Sequence, residues 1–223
     1  AVLGFLHAGF PGSSVLAEES GRSGADASAA SLRWYVDPLD GTTNYAHGVP
    51  HFAVTVAVED AAGLAAGATG DPLRGELFTA ARGEGAFLGG ERIRVSSASE
   101  LSRALLVTGF PYDVHREAEG PLRLFGAYLR RARAVRRFGA AALDLAYVAC
   151  GRFDGYWEKG INSWDVAAGI VLVRGAGGFV SGGSGGPGML PKGAGRAGNE
   201  TTQRPPPRRG GKAGTPCLPP SAP

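Results

Sequence analysis

The most constraining stretch of the chain is WYVDPLDGTTNYAHG, Trp34 to Gly48. LRWYVD reads as a strand that delivers Asp37 at its C-terminal end, and HFAVTVAVED, from His51 to Asp60, reads as another. Between them Asp37 and Asp40 stand three residues apart, with Pro38 between and Gly41-Thr42 after. Asp-Pro and Asp-Gly are ordinary turn signals. Pro38 fixes φ and removes a competing N–H, and Gly41 lets the backbone approach a neighbour closely. A turn of this form can aim two carboxylates and the Leu39 carbonyl at one point.

The rest of the first half has the same character. VLGFLHAGFP reads as the end of a helix, stopped at Pro11-Gly12. SVLAEES is a short strand ending in Glu18 and Glu19, and SGRSGADASAAS a loop. In HFAVTVAVED the apolar Phe52, Val54, Val56 and Val58 share one face. AAGLAAGATGDPL and GELFTAARGEGAFLGGERIRVS add short strands with Gly-rich turns, giving an antiparallel sheet with flanking helices. The second half alternates: EAEGPLRLFGAYLRRARA is helical, VRRFG a short strand, AAALDLAYVACGRF a helix and DGYWEKG a strand. SWDVAAGIVLVRGAGGFVS is a buried helix and a strand, with Ser163 as cap and Asp165 in the first turn, where an acid is favoured.

Composition sets the limits. With 223 residues, 43% of them hydrophobic, the chain can bury a real core. No apolar run reaches the length of a membrane span. The net charge of +3 is unevenly placed: Ser181 to Pro223 holds six Lys and Arg against one acid, Glu200, so the body is mildly acidic. Eleven Gly and nine Pro crowd those 43 residues, which read as a disordered basic tail behind a domain of residues 1–180. A nucleic-acid module needs a basic face on a folded body, and clustered acids point to cations instead. Cys150 and Cys217 form no C-x-x-C pair, which argues against a zinc site and fits a reducing cytoplasm.

Glu18, Asp37, Asp40 and Asp165 then form a set. Hard cations such as Mg²⁺ take oxygen ligands, and the N–H groups of Gly41 and Thr42 are candidate anion donors if a helix begins there. Metal-assisted phosphate ester hydrolysis follows, with Glu18 and Thr42 placed to handle the attacking water. Taken singly, each motif has a plainer reading: DPLDG as a surface turn, WD as a core Trp with a capping Asp, AEES as solvated charge. His47 and His51 are four apart, but Pro50 argues against a helical ligand pair.

Taken jointly, VLAEES, WYVDPLDGTTNYAHGVPHFAVTVAV, RRFGAAALDLAYVACGRFDGYWE and WDVAAGIVLVRGAGG resemble the inositol monophosphatase family of Mg²⁺-dependent, lithium-sensitive phosphatases, from Leu6 to Val180. The resemblance implies an α/β fold, the layered α-β-α-β-α sandwich of inositol and sugar phosphatases. It implies metal ligands at Glu18, Asp37, the Leu39 carbonyl, Asp40 and Asp165, and a water-activating pair in Thr42 and Glu18. It places phosphate on the backbone of Gly41 and Thr42, and the polyol beside Gly139, Ala141, Glu158 and Asp40. It also implies a small phosphorylated polyol substrate, a cytoplasmic homodimer and no membrane partner. Related activities on fructose 1,6-bisphosphate or nucleotide bisphosphates, an association with RNA or transcription machinery, and an inactive fragment are the alternatives.

Four departures qualify the pattern. The family has further elements before the point where this chain starts, so a missing N-terminal part is expected. Gly175 stands where the second signature has an acid, and Ala140 where a Ser or Thr is usual. Beyond AGNE the likeness breaks near Thr202, and a misjoined tail is the expectation there.

Overall fold

The computed structural model describes residues 2–182 and 193–199. Helix α1 (Val2–Gly9) leads into strand β1 (Ser14–Ala17), which runs parallel to β3 (Arg33–Asp40). Between them the stretch expected as a loop contains β2 (Gly21–Gly24), paired antiparallel with β1 at the sheet edge. Edge pairing needs only backbone groups, so its polar residues gave no strand pattern. The chain continues through β4 (Ala53–Asp60), β5 (Gly63–Asp71), β6 (Glu76–Ala81), β7 (Gly85–Leu88) and β8 (Glu91–Arg92). These complete an eight-stranded sheet in the order β2-β1-β3-β4-β5-β6-β7-β8.

The second sheet has the order β10-β9-β11-β13-β12, from β9 (Leu105–Thr108), β10 (Ala134–Arg136), β11 (Gly155–Ile161), β12 (Phe179–Gly182) and β13 (Gly193–Gly198). Helices α4 (Ala141–Ala149) and α5 (Ser163–Gly175) lie between the sheets and carry most of the main core. Helix α1 covers the outer face of the first sheet through Leu6 against Val15, Ala17 and Val36. Helix α3 (Glu119–Leu129) covers the outer face of the second through Tyr128, Leu124 and Phe125 against Leu106 and Trp157. The layers are therefore α-β-α-β-α, as the resemblance implied.

The valine face expected on β4 is the one turned away from α5. Ala53, Thr55 and Ala57 are the buried side of that strand, while Val54 is 38% exposed. The cause is close packing: a Cβ placed on Gly67 of β5 would lie 2.7 Å from the Cα of Ala168 in α5. Small residues therefore face α5, and the larger Val56 turns to the cluster under α1.

The boundary at Ser181 also falls inside the fold. Ser181 and Gly182 end β12, and β13 pairs antiparallel with both β11 and β12. Backbone pairing can hold a Gly-rich strand whose composition reads as disordered. The remainder of that segment, 183–192 and 200–223, lies outside the described residues. Helix α5 is capped by Asn162, one residue before the expected Ser163, in a capping box with Asp165.

Candidate active site

The carboxylates meet where β1 and β3 end and α2 (Thr42–Ala46) and α5 begin. Parallel pairing of β1 with β3 sets Ala17 opposite Val36, so Glu18 and Asp37 emerge side by side. Carboxylate oxygens of Glu18, Glu19 and Asp37 lie within 4.8 Å of one another. Asp37 is 1% exposed; its Oδ1 accepts the Leu39 N–H at 2.9 Å, and its Oδ2 is buried without a hydrogen-bond partner. Burial, reinforced by the charges of Glu18 and Asp165, raises the Asp37 pKa to about 8 despite the Leu39 N–H. Burial likewise raises Glu18, with Glu19 adding to it.

Asp40 is buried where the β3–β4 pairing becomes irregular, between Asp37 and Asp40. Its Oδ2 accepts the Ala142 N–H at 2.7 Å. Burial and the charge of Asp37 hold its carboxyl well above the usual range. Asp165 accepts the Asn162 N–H at 2.9 Å, and burial lifts it to about 6, with Glu18 adding repulsion. Two buried acids, Asp37 and Asp40, and two half-buried ones, Glu18 and Asp165, thus crowd like charges together, an arrangement that a cation relieves.

Gly41 has φ 87° and ψ 37°, a left-handed conformation that suits glycine, and serves as N-cap of α2 without any side-chain cap. The Thr42 hydroxyl donates to the Leu39 carbonyl at 3.0 Å, so two expected site groups are bonded to each other. Ala140, in extended conformation, is the N-cap of α4 and offers no side-chain acceptor; Asp40 fills that role from β3. Gly139 and Ala141 flank this helix start. Glu158, on β11, accepts the Tyr156 hydroxyl at 2.7 Å. Burial raises Glu158 to about 7, with Asp144 and Asp165 adding to the effect. A Cβ on Gly109 would lie 2.1 Å from Glu158 Oε2, so the bare backbone of Gly109 makes room for this carboxylate.

The turn, its two aspartates, the helix start after it and the α5 acid were all legible as motifs. Glu19, Asn44, His51 and Asp144 were not assigned to the site. Glu19 adjoins a motif residue, and Asp144 is the one acid in the apolar run AALDLAYVA, which is a readable anomaly.

The profile of the inositol monophosphatase family matches residues 1–208. The chain belongs to the inositol monophosphatase family. The match extends past both ends of the Leu6–Val180 stretch that carries the quoted motifs. The Nus factor SuhB of Pseudomonas aeruginosa is 44% identical over 200 residues, covering 89% of this chain and 74% of that protein. The inositol-1-monophosphatase of Mesorhizobium japonicum is 45% identical over 194 residues, covering 87% and 72%. Among solved structures, inositol monophosphatase from Anabaena superposes with TM-score 0.86 at 44% identity, covering 91% of this chain and 79% of its own. SaIMPase-II with inositol monophosphate bound superposes with TM-score 0.80 at 26% identity, covering 91% and 77%. Membership places the chain among the phosphoric monoester hydrolases, in a fold of mixed sheets and helices.

Proposed function

We propose that this chain hydrolyses a small phosphate monoester, with inositol monophosphate as the leading substrate and Mg²⁺ as the cofactor. The observation that carries the reading is the buried Oδ2 of Asp37, without a partner and set against Glu18 and Asp165. Leaving a buried oxygen unpaired beside like charges is costly; a divalent cation turns that cost into binding energy. Glu18, Asp37, Asp40, Asp165 and the Leu39 carbonyl are the hard oxygen donors that would hold it. Bound there, Mg²⁺ would neutralise phosphate charge and polarise the ester toward attack.

The protein's own groups supply the rest. The N–H groups at Gly41 and Thr42 open α2 and offer donors for phosphate oxygens. Thr42, bonded to Leu39, is held at the turn where an attacking water would be oriented. Glu18, with its raised proton affinity, is the base for that water. Asp40 and Glu158 are the acceptors available for substrate hydroxyls, beside the backbone of Gly139 and Ala141.

Phosphate release with Mg²⁺ titration tests this, using inositol monophosphate, fructose 1,6-bisphosphate and a nucleotide bisphosphate, with Asp40→Asn as control. Release that needs Mg²⁺ and vanishes in the variant is expected; no release from any of these esters by the wild type sinks the reading.

A second reading rests on an exposed run of cations, Arg130, Arg131, Arg133, Arg136 and Arg137, at the end of α3 and around β10. Relatives of this chain are named Nus factors. We infer that this face contacts RNA or transcription machinery electrostatically. Salt-sensitive RNA retention that survives Asp37→Asn supports it, and the absence of retention at low salt removes it.

A further inference from the structure

We propose that His51 and Asp144 are positioning residues that clamp the chain around Gly41 and so set the phosphate-binding amides. The inference rests on the phosphatase reading above. It starts from what encloses Gly41. A Cβ on that residue would lie 3.1 Å from the Ala140 Cβ, 3.1 Å from the His51 carbonyl oxygen and 3.3 Å from the Gly139 carbonyl oxygen. Gly41 therefore sits between two walls, the return loop ending at His51 and the segment Phe138 to Ala141 that opens α4. The position of its N–H depends on how far apart those walls stand.

Two side-chain ties cross between the walls. Asn44 Nδ2 donates to the His51 carbonyl at 2.7 Å and to the Phe138 carbonyl at 2.8 Å. The second tie is the imidazole of His51 against the carboxylate of Asp144 in the first turn of α4. His51 is 5% exposed and Asp144 1%. His51 Nε2 and Asp144 Oδ1 face each other at 3.7 Å, beyond hydrogen-bond distance, and neither atom has a hydrogen-bond partner among the described residues. Two buried polar atoms each left to the other form a pair that holds its elements together, because separating them strands both. Aromatic packing fixes the imidazole from other sides: its centroid lies 5.0 Å from Phe138 and 6.1 Å from Tyr147. Burial raises Asp144 to about 6, with His51 and then Arg137 opposing that rise.

A plainer role exists for Asp144, as an acid in a helix's first turn. That role would make Asp144 matter for α4 and leave His51 and the phosphate site indifferent. The clamp instead couples both residues to Gly41.

The test uses the full chain and four variants: His51→Phe, His51→Gln, Asp144→Leu and Asp144→Asn. Steady-state kinetics with inositol monophosphate, inhibition by inorganic phosphate, Mg²⁺ half-saturation and hydrogen exchange over residues 40–46 are read together. His51→Phe is expected to raise KM and the phosphate inhibition constant by about tenfold, the range found when supporting groups behind a site are removed. The value of kcat and the Mg²⁺ half-saturation should move by less than about twofold. His51→Gln, which restores a donor, should recover most of the loss. The double variant of His51→Phe with Asp144→Leu should be no worse than either single one. A folded His51→Phe with unchanged KM overturns the clamp, as do additive single effects. If the apolar variants do not melt cooperatively, Asp144→Asn decides: faster exchange confined to 40–46 supports the clamp, and uniform or unchanged exchange overturns it. Exchange needs no turnover. A wild type that releases no phosphate would therefore end the functional reading while the clamp is still judged.

Discussion

Asp40 closes the start of helix α4 from a different strand, its Oδ2 accepting the Ala142 N–H at 2.7 Å. The same carboxylate is buried and pushed upward by burial and by Asp37. It therefore joins two demands, a helix end that wants an acceptor and a cation site that wants charge. Asp40→Asn keeps an oxygen that can accept the Ala142 N–H but removes the charge. The expected result is a loss of Mg²⁺-dependent phosphate release of about 10²–10³-fold, the scale for removing one preorganised electrostatic group. Metal-free stability at pH 8 should rise by about 1 kcal/mol, as when a destabilised active-site group is relieved. Parallel melting curves and phosphate assays check both, and a variant that loses activity while also melting lower would show that the charge of Asp40 stabilises the start of α4 by more than its repulsion from Asp37 costs.

Metal-free stability should fall as pH rises. The folded-state pKa of Asp37 is raised to about 8, and those of Glu18, Asp40 and Asp165 are raised too. A carboxyl with a raised folded pKa contributes most below its unfolded pKa of about 4 and loses that contribution as pH climbs through the folded value. In chelator the melting temperature should therefore drop between about pH 5 and 8. Mg²⁺ should remove most of that slope and release protons on binding, measurable by calorimetry in buffers of different ionisation enthalpy. A flat profile in chelator would mean that the acids are solvated rather than buried.

What the sequence revealed follows from how each signal is encoded. Asp37, Pro38, Asp40 and Gly41 lie within one short turn, so their chemistry is readable from neighbouring letters. Glu18 and Asp165, 19 residues before and 128 after Asp37, were readable as acids at a strand end and in a helix's first turn, and β1–β3 pairing and the start of α5 bring them to Asp37. His51 and Asp144 are 93 residues apart in sequence, and nothing local marks them as partners. The alternation along β4 was readable, but which face packs on α5 was not, because Ala168 crosses so close to Gly67 that only small side chains fit between. β13 was missed because glycines can pair through their backbone while carrying no hydrophobic pattern.

Ala140 offers a direct gain. It is fully buried, extended at φ −140° and ψ 95°, and caps α4 without a side-chain hydrogen bond. Asp40 already takes the Ala142 N–H, so the next N–H, of Leu143, is the natural partner for a new hydroxyl. Ala140→Ser should stabilise the chain by about 1 kcal/mol, raising Tm by about 2–4 °C. The substitution also places a hydroxyl beside Gly41, so a modest fall in KM for inositol monophosphate is expected with it. A lower Tm would show that the space against Gly41 is too tight for the added oxygen.

Gly175 tests whether restoring the family's acid helps. It closes α5, and a Cβ there would lie 2.9 Å from the carbonyl carbon and oxygen of Gly85 and 3.2 Å from the Ala86 nitrogen. These are backbone atoms of β7, which cannot swing aside as a side-chain tip can. Ten helical residues separate Gly175 from Asp165, about 15 Å along the axis, so a new carboxylate would lie a full helix length from the acidic cluster. Gly175→Glu should therefore cost about 1–3 kcal/mol, the range for overpacking, and lower Tm by about 5 °C. Its Mg²⁺ half-saturation should match the wild type at temperatures where both are folded. Gly175→Ala separates size from charge: it should bring most of the same loss, since the clash begins at Cβ. A Gly175→Glu protein that melts higher and binds Mg²⁺ more tightly would instead show that β7 yields and that the acid reaches the site through the packing of α5.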